Sequence, residues 1–212
     1  MKGLIRNSFY AMENSLKISF FIAAFLSVMP CFAKNSSLIP VTISVQIYIF
    51  AMSIGTSLHA DAAAKWDQFE ITLPVPRNGI VKAKYIFYLL LMAAGLCMGS
   101  LTAAVSAAAG LPLDYLGLAY GFAHGLTLSA VSIGLMYPVM LKFGTDKNEM
   151  VLLLSAFCAV AFTIAAAAVL SPWTNGMNLH HPLTFTVFTL AAILIFAASY
   201  LLSVRIHRKK EF

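Results

Sequence analysis

The chain has 212 residues, 60% of them hydrophobic and 10% charged, with a mean hydropathy of +0.85. A soluble domain carries roughly 25% charged residues, so this composition excludes a freely soluble protein. The formal charge of +6 would suit a nucleic-acid partner if it were clustered on one surface, but its distribution along the chain favours a membrane account, set out below.

Residues 1–17 place Ile5, Phe9, Met12 and Leu16 at helical spacing, with Lys2, Arg6, Glu13 and Lys17 mostly elsewhere. This pattern predicts an amphipathic helix lying in the membrane interface. A cleaved signal peptide is the competing reading, because basic residues precede an apolar run and Cys31–Ala33 loosely resembles a cleavage site; the long amphipathic stretch bearing Glu13 argues against it.

Apolar runs follow at about 18–33, 38–58, 85–109, 116–141, 150–170 and 183–204. About 20 residues at ~1.5 Å rise cross a ~30 Å hydrocarbon core. Uninterrupted runs of this length must satisfy their backbone groups internally, which means helices. The expected fold is all-α: a polytopic membrane protein with six spans, forming a single domain over 1–212.

The first span contains Pro30 and leads to an external turn at 34–37, and the second opens near Pro40. Gln46 lies in the apolar middle of the second span and needs a hydrogen-bond partner there. Interhelical packing and contact with a substrate are the two roles open to it.

Asp61 to Tyr85 is the one long polar segment. Its first part is helix-competent and sets Trp66 and Phe69 three apart on one face. The prolines at 74 and 76 then impose an extended or turn segment. Lys82, Lys84 and Tyr85 read as interface anchors at the return into the membrane. Trp66 and Phe69 could dock a partner or simply sit among lipid headgroups.

The third span carries Gly95, Gly99, Ala103 and Ala107 at intervals of four, and the fourth carries Gly117, Gly121 and Gly125 likewise. Such ridges let helix backbones approach closely. His124 lies among those glycines, and an ionisable residue within a span is a candidate for function as well as for packing. Pro138 bends the end of this span, and Gly144 is a plausible helix stop. The fifth span ends at Trp173, which suits an interface, and the last ends in a basic run from Arg205.

Cys31, Cys97 and Cys158 lie in apolar runs without ligand spacing and read as small packing residues. His180 and His181 are adjacent but lack a third ligand at useful spacing, so no metal is expected. No phosphate loop, HExxH or GxSxG is present. With the N-terminus inside, Lys34 alone among the fourteen Lys and Arg residues falls on the outer side. Both termini and the 61–85 loop are therefore expected in the cytoplasm, and no nucleic-acid partner is needed to explain the charge.

Asp61, Lys65–Trp66, Phe69, the Thr72–Leu73–Pro74 run, Arg77, Ile80–Val81 and Lys84–Tyr85 together resemble the pattern of type-2 ABC exporter permeases, in the branch of small six-helix bacterial subunits that work with a separate ATPase. The opening MKGLI and the YPVMLKFG segment at 137–144 are further similarities. The resemblance implies a bacterial inner-membrane subunit that pairs with itself or a sibling and sits on two cytoplasmic ATPase subunits, which hold ATP and Mg. It implies that the loop between the second and third spans contains the coupling helix, with Asp61, Lys65, Trp66, Phe69, Thr72, Leu73, Pro74 and Arg77 at the ATPase interface. Gln46 and His124 are the candidates for a substrate pathway, and the near absence of charge in the spans favours export of an amphipathic peptide or a lipid-like molecule. The alternatives are a non-transporting immunity or sensor subunit that docks a cytoplasmic partner through the same loop and, less favoured, an integral membrane enzyme.

Overall fold

The computed structural model describes residues 2–64, 77–143, 148–174 and 181–209. Among them lie six helices long and apolar enough to cross a membrane, at Glu13–Ala33, Leu38–Asp61, Gly79–Ala108, Tyr115–Lys142, Glu149–Trp173 and Pro182–His207. The protein is thus an all-α, polytopic membrane protein. Its helices are α1 (Lys2–Ala11), α2 (Glu13–Ala33), α3 (Leu38–Met52), α4 (Ile54–Ala63), α5 (Arg77–Ala108), α6 (Tyr115–Phe143), α7 (Asn148–Leu170) and α8 (Pro182–Lys209).

The amphipathic segment is shorter than its periodicity predicts. α1 stops at Ala11, and residues 13–17 already belong to the first span. Met12 and Leu16 are buried, so the lower part of the apolar stripe faces the bundle, while Phe9 stays half-exposed against the edge of Phe87, with ring centroids 5.8 Å apart.

The second span is two helices in series, broken at Ser53. The Ser53 N–H still reaches the Ile49 carbonyl at 3.2 Å, but the Thr56 N–H bonds to the Ser53 carbonyl at 3.1 Å, three residues back, which tightens the turn locally. α3 and α6 form the centre of the bundle: α3 lies against α5 and α6, and α6 also carries α7 and α8. α2 covers α5 and α3 from outside.

Gly95 and Gly99 of the third span and Gly121 and Gly125 of the fourth face α3. A methyl group placed on Gly95 would lie 2.8 Å from the Ile47 Cα, and one on Gly121 would lie 2.7 Å from the Pro40 carbonyl oxygen. Only glycine permits backbones this close, so these two positions fix the distances of α5 and α6 from α3. The cysteines do not fill the interior: Cys97 and Cys158 are exposed on outer helix faces and Cys31 is half-buried. Those faces are apolar, with Phe21 and Phe25 on α2, Leu154 and Phe157 on α7, and Ile193 and Leu194 on α8 all exposed, as lipid-facing surfaces require.

Candidate functional site

The start of α5 is where the polar side chains of this bundle converge. Lys84 stands at the end of its second turn, about two turns past Arg77, where the helix begins. Instead of extending to a headgroup region it is buried, with 8% of its surface exposed. Its ammonium donates to Asp61 Oδ2, in the last turns of α4, and to Ser8 Oγ on α1 at 3.1 Å. One cation therefore joins the two sides of the loop to each other and both to α1. The side chains of Lys84 and Asp61 keep only 9% and 14% of their exposure, so each neutralises a charge that the site could not otherwise hold.

Tyr85 also departs from the anchoring role its position suggests. It is buried, and its hydroxyl lies 2.6 Å from Ser199 Oγ and 2.9 Å from Ser203 Oγ, both on α8. Its ring meets Tyr137, Phe196 and Tyr200 edge-on at 5.2 to 5.4 Å, a favoured geometry for aromatic pairs. A void of about 10 Å³ lies beside Lys84, lined also by Ile54, Tyr85, Tyr88, Ile133 and Tyr137. It has room for about one water molecule. Among the described residues the cluster holds α1, α4, α5 and α8 together.

Of the residues expected at an ATPase interface, Lys65, Trp66, Phe69, Thr72, Leu73 and Pro74 lie outside the described residues. Arg77 opens α5, and its side chain is likewise outside the description. Asp61 is described, and it faces Lys84 within the chain. The other two candidates lie deeper in the bundle.

Gln46 is fully buried, and its amide is committed to the bundle. Nε2 donates to the Ala23 carbonyl at 2.9 Å and to Ser27 Oγ at 3.0 Å, while Oε1 accepts from Thr102 Oγ1 at 2.8 Å. Ser27 and Thr102 are themselves 2.9 Å apart, so α2, α3 and α5 share one polar cluster. A second link, Ser19 to Ser53 at 2.8 Å, ties α2 to the break in the second span. The hydrogen-bond partners that Gln46 needs in the apolar middle of its span are thus supplied by α2 and α5. His124 is half-buried between α6 and α8, stacked on Tyr120 with centroids 5.4 Å apart and planes 18° apart, and tilted against Phe188 at 6.1 Å.

Ser8, Ser199 and Ser203 belong to this site without any strong signal in the sequence. Ser199 and Ser203 are four apart on one face of the last span, which was the available sign. For Lys84 and Asp61 the sign was an opposite charge on each side of the loop at matching depth on two antiparallel helices.

The family model for ABC-2 family transporter proteins matches residues 3–208, nearly the whole chain. No curated protein and no solved structure matches it. A family match of that extent, on a bundle of six membrane-spanning helices, gives the chain a permease's role in transport: it belongs to the ABC-2 family of transporter proteins.

Proposed function

We propose that this chain is the membrane-spanning permease subunit of an ATP-driven exporter, in which a separate cytoplasmic ATPase binds the 61–85 loop and hydrolyses ATP with Mg on its own residues. The family match over residues 3–208 carries this reading, since ABC-2 membrane proteins generally work with an ATPase partner. The loop supports it further: both of its flanks are fastened by a buried ion pair, which suits a segment that must take load from outside the bundle. In this account the protein sits in a bacterial inner membrane with both termini and the loop in the cytoplasm. A second permease subunit, identical or related, packs against the apolar outer faces of α2, α7 or α8.

The substrate is an amphipathic peptide or a lipid-like molecule. The middles of the described spans carry no Asp, Glu, Lys or Arg, and an ionic solute would need an opposite charge there to offset its desolvation. An apolar-faced molecule has no such need. The test is purification of the tagged permease with its ATPase, reconstitution in liposomes, and measurement of ATP-dependent movement of a fluorescent phospholipid and of an amphipathic peptide. Movement of either supports the reading. A permease that purifies without an ATPase and supports no ATP-dependent movement contradicts it.

A further inference from the structure

α7 and α8 both lie on α6, and each packs far more extensively on it than on the other. A groove runs between them. Among the described residues it is lined by Phe162, Ala165, Ala166, Val169 and Leu170 of α7 and Val187 of α8, and its volume is about 320 Å³. Pockets that hold small molecules run from roughly 300 to 1,000 Å³, so the groove is large enough to take a ligand. Ala166 also packs against the buried cluster of Ala123 on α6, Ala167 on α7 and Phe188 on α8, so the bundle closes the groove from behind.

The depth of the groove says what can reach it. It lies at the end of the bundle away from the 61–85 loop, where α7 ends and α6 begins. Trp173, four residues past Val169, and Tyr115, the first residue of α6, are both largely exposed at that end. Rings that carry an N–H or O–H gather where a membrane meets water, so these two mark the level of the headgroups. From Trp173 to Phe162 the chain descends about 16 Å at the helical rise. Half of a ~30 Å hydrocarbon core is about 15 Å, so the groove runs from just below the headgroups to the middle of the bilayer.

An occupant at this depth meets only apolar side chains among the described residues. Six lining residues are also far fewer than the roughly 20–30 a side of a stable protein interface, so the groove does not by itself seat a second subunit. One hydrocarbon chain needs no more. We propose that the groove binds a single acyl chain of a membrane phospholipid, with the headgroup beside Trp173 and the middle of the bilayer reached at Phe162. The chain supplies the van der Waals contacts that α7 and α8 scarcely make with each other. A lipid on the open outer face of a helix is surrounded by fewer protein atoms and leaves sooner. The site belongs to the membrane bundle alone and needs no ATPase.

Photolabelling tests this. The full chain is reconstituted in phosphatidylcholine–phosphatidylglycerol liposomes that contain a phospholipid with a diazirine midway along one acyl chain. After illumination, label is located residue by residue by mass spectrometry. Phe162 and Val187 line the groove, while Ile164 and Leu190 stand at similar depth on the same two helices and are more exposed. At least threefold more label is expected at the first two than at the second two. Ala165 is exposed and lines the groove, so Ala165→Phe fills it without entering the packed interior. That substitution is expected to lower label at Phe162 and Val187 at least threefold and to leave Ile164 and Leu190 as they were. Ala168→Phe, at an exposed alanine of α7 outside the lining, is expected to change none of the four.

Equal label at all four positions of the unmodified chain means annular lipid only and overturns the proposal. Less label in the groove than at Ile164 and Leu190 overturns it as well, because protein then covers the groove. Label at Phe162 and Val187 that survives Ala165→Phe undiminished overturns it too, since the chain would then lie elsewhere.

Discussion

Lys84 and Tyr85 are neighbours in the chain and bind opposite flanks of the bundle: Lys84 holds Asp61 and Ser8, and Tyr85 holds Ser199 and Ser203. Successive residues of a helix point about 100° apart, so one turn of α5 can serve α1 and α4 on one side and α8 on the other. The start of α5 is therefore the joint at which the loop between the second and third spans meets the rest of the protein.

The ion pair yields a prediction about stability. Lys84→Met or Asp61→Asn alone leaves a buried partner uncompensated and is expected to cost about 3–5 kcal/mol, whereas the double substitution, which leaves no orphan charge, is expected to cost clearly less than the sum. Thermal unfolding of the purified permease in detergent measures this. Additive losses would mean that the two charges do not depend on each other.

Gln46→Leu removes an amide that makes three hydrogen bonds among α2, α3 and α5. Hydrogen bonds between membrane helices are modest, and the expected loss is about 1 kcal/mol of bundle stability, with transport falling only as folded protein falls. Full stability combined with lost transport would instead place Gln46 on the substrate's path.

Gly121→Ala puts a methyl group 2.7 Å from the Pro40 carbonyl oxygen and forces α6 away from α3. Overpacking of this kind costs about 1–3 kcal/mol, visible as a lower melting temperature. Gly3→Ala is the control: its methyl meets nothing, and a helical alanine is preferred over glycine by about 1 kcal/mol. Equal effects of the two would contradict the close approach of the backbones.

The six spans were legible because apolar runs long enough to cross a bilayer leave little choice of structure. The demand of Gln46 for partners was legible too, since an amide in that setting must find them. Its partners were not, because Ala23, Ser27 and Thr102 meet it only once the helices are arranged. The same holds for Lys84 and Tyr85. A lysine and a tyrosine at the end of a span ordinarily reach for the interface, and here Asp61, Ser8, Ser199 and Ser203 stand at the same depth on adjoining helices and draw both inward. The extent of α1 was overstated because Met12 and Leu16 continue its apolar stripe into the first span, where burial against the bundle, not the interface, is what they satisfy.

The orientation expected from the distribution of Lys and Arg can be read with single cysteines at Asn35, Ala63, Asp114, Asn148 and Asn178 in a background free of the native three. An impermeant maleimide added to intact cells is expected to label Asn35, Asp114 and Asn178 and to spare Ala63 and Asn148. Labelling of Ala63 from outside would reverse the orientation and remove the loop from any cytoplasmic ATPase.

The most direct measurement of the central claim is the affinity of the ATPase subunit for the permease after Trp66→Ala or Phe69→Ala. An aromatic side chain held in a desolvated protein pocket contributes about 2 kcal/mol or more, so a roughly thirtyfold weaker complex is expected with the membrane bundle still folded. An affinity unchanged by both substitutions would mean that these rings rest among lipid headgroups, and it would contradict the account of the 61–85 loop as the place where the ATPase takes hold.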